Sequence, residues 1–158
     1  MAEMSLKEFQ GWLRKQPQQI QGAVVRGLRS AAQRGVGVVV QEIDNASPHP
    51  AVNTGRLRQS ARAESNPMGA SVVVDAPHAA IINDGTRPFR PPLAPLVEWV
   101  VRKFGVDEAD AYPIAKAVQD KIAAEGIEPR FYFDKAMKRI NEFVDEEVQH
   151  ELNKLGVA

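Results

Sequence analysis

The side chains that could act as nucleophiles or as acids and bases are scattered along this chain. Ser60, Ser71 and Thr86 lack the surrounding pattern of a base and an orienting acid that activates a hydroxyl nucleophile. Asp84 and Glu64 could face each other as an acid/base pair, but their spacing does not fix a distance between them. We therefore expect the hydroxyl residues to serve in turns and helix caps, and we expect no enzymatic activity.

Metal and cofactor sites are not indicated either. The histidines His49, His78 and His150 are far apart, and none lies four residues from another ligand on a helix. The chain has no cysteine, which excludes disulfides, thiolate ligands and cysteine nucleophiles. A phosphate-binding loop needs several glycines and a lysine, whereas DGTR (residues 84–87) has one glycine. We expect no metal, no cofactor and no small-molecule substrate.

The size and composition are those of one globular domain. The chain has 158 residues, of which 44% are hydrophobic and 25% are charged, so we predict a single domain over residues 1–158. No apolar run approaches the roughly 20 residues that cross a bilayer, and the start, MAEMSLKEF, lacks the apolar core of a secretion signal. We expect a cytoplasmic product without membrane contact.

Charge is unevenly distributed along the chain. Residues 1–62 contain nine Lys/Arg and four Asp/Glu, whereas residues 63–158 contain eleven and sixteen. This asymmetry fits ordinary solvated helix faces, or complementary surfaces of identical subunits that meet head to tail. A basic half also suggests nucleic-acid binding. Aromatic residues that would stack on bases are however not interleaved with the basic residues, which are spread out. These basic residues are Arg14, Lys15, Arg26, Arg29 and Arg34.

Helices dominate the predicted secondary structure. Ser5 and Glu8 have capping-box spacing, so a helix begins there, and Pro17 suits the first turn of a renewed helix. Apolar residues at three- and four-residue steps predict a long amphipathic helix over residues 18–45, although RGVGVVVQEI (residues 34–43) fits a strand almost as well. A loop follows over residues 45–53.

The middle of the chain predicts a β-hairpin between two short helices. Thr54 can cap the helix GRLRQSA, and RAES and ASVVVDA form two antiparallel strands joined by the four residues NPMG, with one further short strand possible nearby. PHAAIINDG is either a strand or, as we favour, a two-turn helix stopped by Gly85 in the left-handed conformation.

Three more helices are predicted in the second half. One spans Leu93 to Phe104, the next is capped by Asp110 with Pro113 in its first turn, and the last begins near Phe133.

Several aromatic residues are spaced as core or interface anchors, with a core position as the default: Trp12, Trp99, Phe104, Phe131 and Phe133. The predicted class is α+β, with long N- and C-terminal helices packed on a small antiparallel β-sheet and a helical pair inserted at about residues 92–126. PxxP-like spacing around RPFRPP and PPLAP could bind an SH3-type groove, but these prolines more readily set the entry angle of the helix they adjoin.

The order of three segments resembles a known family. PxxxxNTGRLRQSA (48–61), PHAAIINDGTRPFRPP (77–92) and GIEPRFYFDKAM (126–137) together resemble the tail-completion, or head-tail joining (neck, minor tail), proteins of long-tailed bacteriophages. The segment between the second and third resembles the helical pair that many members insert. The chain departs from the family at His78 and at Asn83 and Asp84, since an aromatic residue and an acid often precede the GT turn there.

The resemblance implies a structural role rather than a reaction. Such proteins assemble as rings at the head-tail junction, so it implies a homo-oligomeric ring that contacts other neck and tail proteins (tail terminator, connector or adaptor), with passing contact with genomic DNA. The implied location is the virion, after the host cytoplasm. An alternative is a DNA-binding protein that uses the basic N-terminal helix and TGRLR.

We hypothesise a subunit interface that carries the arginines of two motifs. Gly85 would supply a left-handed turn and Thr86 would cap the segment after it, while Arg87 and Arg90, on a proline-stiffened segment, bind acidic groups of an adjoining subunit. The full set of interface residues is Arg56, Arg58, Asp84, Gly85, Thr86, Arg87 and Arg90.

Overall fold

The computed structural model describes residues 6–47 and 55–156, with side chains from residue 17 onward in the first range. This part of the chain contains, in order, α1 (Leu6–Asp44), α2 (Arg56–Gln59), β1 (Ala61–Asn66), β2 (Gly69–Val74), α3 (Ala79–Asp84), α4 (Leu93–Phe104), α5 (Glu108–Glu125) and α6 (Tyr132–Asn153). The class is α+β, as predicted, with long helices near both ends, a small antiparallel sheet and an inserted helical pair.

The described residues form two compact units. Unit 1 is drawn from Met1–Gln41, Ala61–Val74 and Asp134–Ala158, and unit 2 from Glu42–Ser60 and Asp75–Phe133. The single domain over residues 1–158 stays a prediction. Within the described residues, no helix is both long and apolar enough to cross a membrane.

Helix α1 is continuous over Leu6–Asp44. The strand alternative for residues 34–43 is therefore wrong, because the apolar residues there continue the helical spacing set by the preceding turns. The prediction that a second helix begins at Pro17 is also wrong. Pro17 lies inside α1, where its missing N–H leaves one carbonyl without an intrahelical partner. Ser5, the predicted cap, lies outside the described residues.

In unit 1, α1 packs against both strand β2 and helix α6. A Cβ placed on Gly35 of α1 would lie 3.1 Å from a methyl of Val72 in β2 and 3.0 Å from a methyl of Ile140 in α6. Helices α1 and α6 come into close contact at Gly27, where a Cβ would lie 2.5 Å from the Cα of Val148. The absence of a side chain at Gly27 therefore lets the two backbones meet.

The β-hairpin has a tighter connection than predicted. Strands β1 and β2 pair from Ala61↔Val74 to Asn66↔Gly69, so only Pro67 and Met68 separate the paired residues, rather than four. The side chain of Asn66 closes the turn, because its Oδ1 accepts a hydrogen bond from the Met68 amide at 2.8 Å.

In unit 2, α4 and α5 pack around a small apolar core of Val97, Val100, Ala111 and Ala115. Gly105 ends α4 in the left-handed conformation (φ 67°, ψ 23°).

Two predicted helix caps in unit 2 need correction. The cap of α5 is Asp107 rather than Asp110, because the Asp107 side chain accepts from the Asp110 amide at 2.9 Å, which places Pro113 beyond the first turn. Gly55, with φ of 76°, occupies the N-cap position of α2, and Thr54, the predicted cap, lies outside the described residues.

Two aromatic residues expected in the core lie at the surface instead. The side chains of Phe104 and Phe131 are 55% and 49% exposed. Trp99 is partly buried and packs against the α4 and α5 core.

Candidate interaction site around the INDGT segment

Two segments of unit 2 are in close contact: the INDGT segment, residues 82–86, and the GIEPRFYF segment, residues 126–133. The first ends helix α3 and the second begins helix α6. Both belong to the motifs that carry the family resemblance, so their contacts decide which of the predicted interface residues face solvent.

Asn83 holds the start of α6. Its carbonyl accepts hydrogen bonds from the amides of Arg130 (3.1 Å) and Phe131 (3.0 Å), and its side-chain Oδ1 accepts from the Phe133 amide (2.9 Å). Phe131 adopts a positive φ of 50°, which is rare for a residue other than glycine. The Asn83 side chain also donates to the Asp84 carboxylate at 2.7 Å. Sequence reasoning missed this role, because Asn before Asp-Gly is equally typical of a simple turn.

Thr86 joins the two segments rather than capping a helix. Its amide donates to the Ile127 carbonyl (2.9 Å), and its hydroxyl accepts from the Ile127 amide (3.1 Å), so the two residues form an isolated antiparallel bridge. The predicted cap role is therefore wrong, since Pro92 occupies the N-cap position of the following helix, α4. The further short strand suggested near the hairpin is not found, since the sheet in the described residues has only the strands β1 and β2.

Gly85 and Gly126 allow the backbones of the two segments to touch. A Cβ on Gly85 would lie 2.3 Å from the Ile127 carbonyl oxygen, and one on Gly126 would lie 2.1 Å from the Thr86 carbonyl oxygen. Gly85 has the predicted positive φ (69°), but its ψ of −169° lies outside the left-handed helical region. This combination of angles is one that essentially only glycine adopts.

Tyr132 anchors α6 to α3. Its hydroxyl donates to the Ala79 carbonyl at 3.2 Å, and the residue is only 1% exposed. Burial raises the pKa of Tyr132 to about 12, and the negative charge of Asp84 adds to this effect. The phenol therefore stays neutral and acts as a hydrogen-bond donor. The sequence placed no function on this residue.

Arg90 binds acceptors within its own unit. Its guanidinium donates to Oε1 of Gln119 and to the Asp120 carboxylate, both at 3.1 Å. Gln119 is buried, and its amide donates to the Pro91 carbonyl at 2.7 Å. Hydrogen bonding from Lys116, with a contribution from Arg90, lowers the pKa of Asp120. Arg90 thus ties the proline segment to α5.

The remaining arginines of the predicted interface differ in their partners. Arg58 contacts both oxygens of the Asp44 carboxylate, at 3.1 and 3.2 Å. Arg56 and Arg87 are exposed, and neither forms an ion pair or side-chain hydrogen bond with a residue that the structure describes. Leu57, beside Arg56, is only 2% exposed and fixes that short helix. The two exposed guanidinium groups are therefore held on anchored backbone and face solvent.

Two basic residues of α1 that could bind DNA contact carboxylates of α6 instead, and a third, Arg29, donates to the Asn66 carbonyl at 3.3 Å. Arg26 pairs with Glu151 at 2.8 Å, and Arg34 pairs with Glu147 at 3.1 Å. Hydrogen bonds from Ser30 and then Arg34 lower the pKa of Glu147, and those from Lys154 and then Arg26 lower that of Glu151 to about 2. Part of the opposed charge of the two halves is thus neutralised inside unit 1. The side chains of Arg14 and Lys15 lie outside the described part.

Metal ligands do not cluster in the part of the chain that the structure describes: it contains no group of three or more His, Asp or Glu side chains placed to hold an ion. Every buried side-chain nitrogen and oxygen described there has a hydrogen-bond partner. The polar groups of the INDGT region therefore stabilise the backbone.

Comparison with known proteins finds no family model, curated protein or solved structure that matches this chain.

Proposed function

We propose that this chain is a structural subunit of a bacteriophage virion, which forms part of an oligomeric ring at the head-tail junction and completes the tail or neck. The resemblance of three ordered segments to tail-completion proteins supports this role, as does the α+β fold with its inserted helical pair. The proposed activity is assembly, with no reaction to catalyse.

One observation carries the proposal: Arg56 and Arg87 are exposed on backbone that other contacts fix in place. Arg87 directly follows the Thr86–Ile127 bridge, and Arg56 precedes the buried Leu57. A guanidinium binds carboxylates through a planar set of donors, and ordering its backbone beforehand lowers the entropy lost on binding. These two arginines therefore suit contacts with acidic groups of an adjoining subunit.

The outer face of α6 supplies suitable acidic groups. Glu142 and Asp145 are exposed, and neither forms an ion pair with a described residue. A ring requires head-to-tail contacts between two different surfaces of each subunit. We propose that the arginines of one copy meet this acidic face of the next copy, and that Arg58 and Arg90 support the interface from inside their own subunit.

The mass of the purified protein tests this proposal. Sedimentation velocity and native mass spectrometry should find an oligomer, and negative-stain images should show rings. Replacing Arg56 and Arg87 by alanine, singly and together, should shift the population toward smaller species with little change in melting temperature, because both side chains are exposed. The matched control is Lys121→Ala, which removes an exposed cation from α5 and should leave the mass unchanged.

Two results would count against the ring. One is a protein that stays monomeric at every concentration tested, and the other is an Arg56→Ala/Arg87→Ala variant that assembles normally. DNA binding, the alternative, stays a prediction without added support, because Arg26 and Arg34 are already paired with carboxylates. Salt-dependent binding of duplex DNA in a gel shift would favour that alternative.

A further inference from the structure

The helical pair of unit 2 has an open groove between α4 and α5. Leu93, Val97 and Val101 form its floor, and Glu98 and Arg102 of α4 and Tyr112 of α5 stand along its rim. Tyr112 is 55% exposed. In helical bundles, further helices pack on such a two-helix hairpin and cover the groove. Neither Arg56 nor Arg87 lines this groove, which makes it a second surface for interaction.

Glu98 and Arg102 have complementary charges that do not satisfy each other. They lie four residues apart on one face of α4, yet they form no ion pair. At the same spacing on α5, Lys116 pairs with Asp120 at 2.8 Å. Within the described residues, Glu98 and Arg102 have no other ionic partner either. Glu108 also lines the groove, but it lies in the first turn of α5, where the N-terminal end of the helix stabilises its negative charge. Along α4, the rim thus presents one negative and one positive charge beside an apolar floor.

We infer that this groove binds a second copy of the chain, with the α4 helices of the two copies antiparallel about a two-fold axis. The two-fold axis passes at the height of Val100 along α4, midway between the two charged residues. Glu98 of each copy therefore lies opposite Arg102 of the other. The two-fold contact then contains two equivalent Glu98–Arg102 ion pairs, as expected of a self-complementary surface.

The second copy is the occupant that the charge pattern selects. An unrelated helix would need its own acid and base at matching positions, whereas a copy of α4 carries them at the spacing needed. Packing the pair against its copy places four helices around the apolar floors of the two grooves. This contact joins identical surfaces, so it is separate from the ring contact between unlike surfaces and does not depend on it.

Charge reversal tests the two-fold contact. In Glu98→Arg the two rim charges are both positive, and in Arg102→Glu both are negative, so each variant alone places like charges opposite each other. The dissociation constant of each variant's dimer should be at least about tenfold higher than that of the parent chain, because two symmetric charge pairs change from attraction to repulsion. Mixed together, the two variants should form one-to-one heterodimers with the affinity regained, because every pair is again of opposite sign.

Native mass spectrometry with one variant isotopically labelled distinguishes the heterodimer from either homodimer. The matched control is Lys121→Glu mixed with Glu125→Lys, which alters an exposed pair of the same spacing on α5 and should leave dimerisation unchanged both alone and mixed. Circular dichroism checks that each variant keeps its helices.

A second measurement does not depend on the variants. Raising NaCl from about 0.05 to about 0.5 M should weaken the dimer of the parent chain several-fold, because salt screens exposed ion pairs. The inference is overturned if the parent chain forms no dimer, if the single variants dimerise as it does, if their mixture does not regain affinity, or if salt has no effect.

Discussion

Adding a single methyl group at Gly85 should destabilise the protein strongly. In the Gly85→Ala variant the new Cβ would lie 2.3 Å from the Ile127 carbonyl oxygen and 2.8 Å from the Pro129 nitrogen. These are backbone atoms, so no flexible side chain can move aside. The two segments must separate for the methyl to fit.

The magnitude has two contributions. An alanine held at the φ and ψ of Gly85 costs about 1–3 kcal/mol. Separating the segments strains or breaks the two hydrogen bonds between Thr86 and Ile127, each of which contributes about 1 kcal/mol. We therefore expect a loss of roughly 3–5 kcal/mol, which is a large part of the free energy of unfolding of a small protein, about 5–15 kcal/mol.

Urea unfolding followed by circular dichroism measures this loss as a change in midpoint at constant slope. Gly105→Ala is the matched control: φ is 67° there too, but no atom lies within 4 Å of the new Cβ. It should cost only about 1–2 kcal/mol, the penalty of the left-handed conformation. If Gly85→Ala falls within about 0.5 kcal/mol of this control, the close approach of the two segments is refuted.

Three further predictions concern tyrosine, carboxylate and glycine residues. In a Tyr112→Phe variant the only remaining tyrosine is Tyr132. Its phenolate absorbance should rise with a midpoint near pH 12 in the folded protein, against about 10 in the urea-unfolded chain. A midpoint near 10 in the folded protein would be inconsistent with the burial of Tyr132. The pKa of Glu151 is lowered to about 2, so its contribution to stability is present above its unfolded value and is lost as pH falls from about 5 toward 2; Glu151→Gln should lose less stability over that range than the parent chain, and equal losses would contradict the assignment. Gly27→Ala should destabilise by several kcal/mol, roughly as overpacking does, whereas Gly37→Ala, with nothing within 4 Å, should stabilise by about 0.5–1 kcal/mol; equal midpoints in urea would show that the helices do not meet at Gly27.

Periodic patterns predicted the elements of the fold well. The helical spacing in residues 18–45, in residues 93–104 and from Phe133 onward corresponds to α1, α4 and α6, and the alternation around NPMG corresponds to the hairpin. Element ends were harder, since Asp107 and Asp110 are both acceptable helix caps by type. Local propensity does not decide between two such residues, and the backbone geometry selects one.

The site depended on contacts that no local pattern encodes. Thr86 and Ile127 are 41 residues apart, and Arg90 and Gln119 are 29 apart. The sequence indicated that INDGT is a turn with a glycine at positive φ, but it could not show that a second glycine, Gly126, meets it from another segment. For the same reason it could not separate Arg90, which is bound within its unit, from Arg87, which is exposed.

The central claim is that this chain joins a finished tail to a filled head, and electron microscopy of particles assembled without the chain tests it most directly. DNA-filled heads and complete tails should remain separate in such a preparation, and adding the purified protein should restore joined, infectious particles. Joined and infectious particles formed in its absence would contradict the claim.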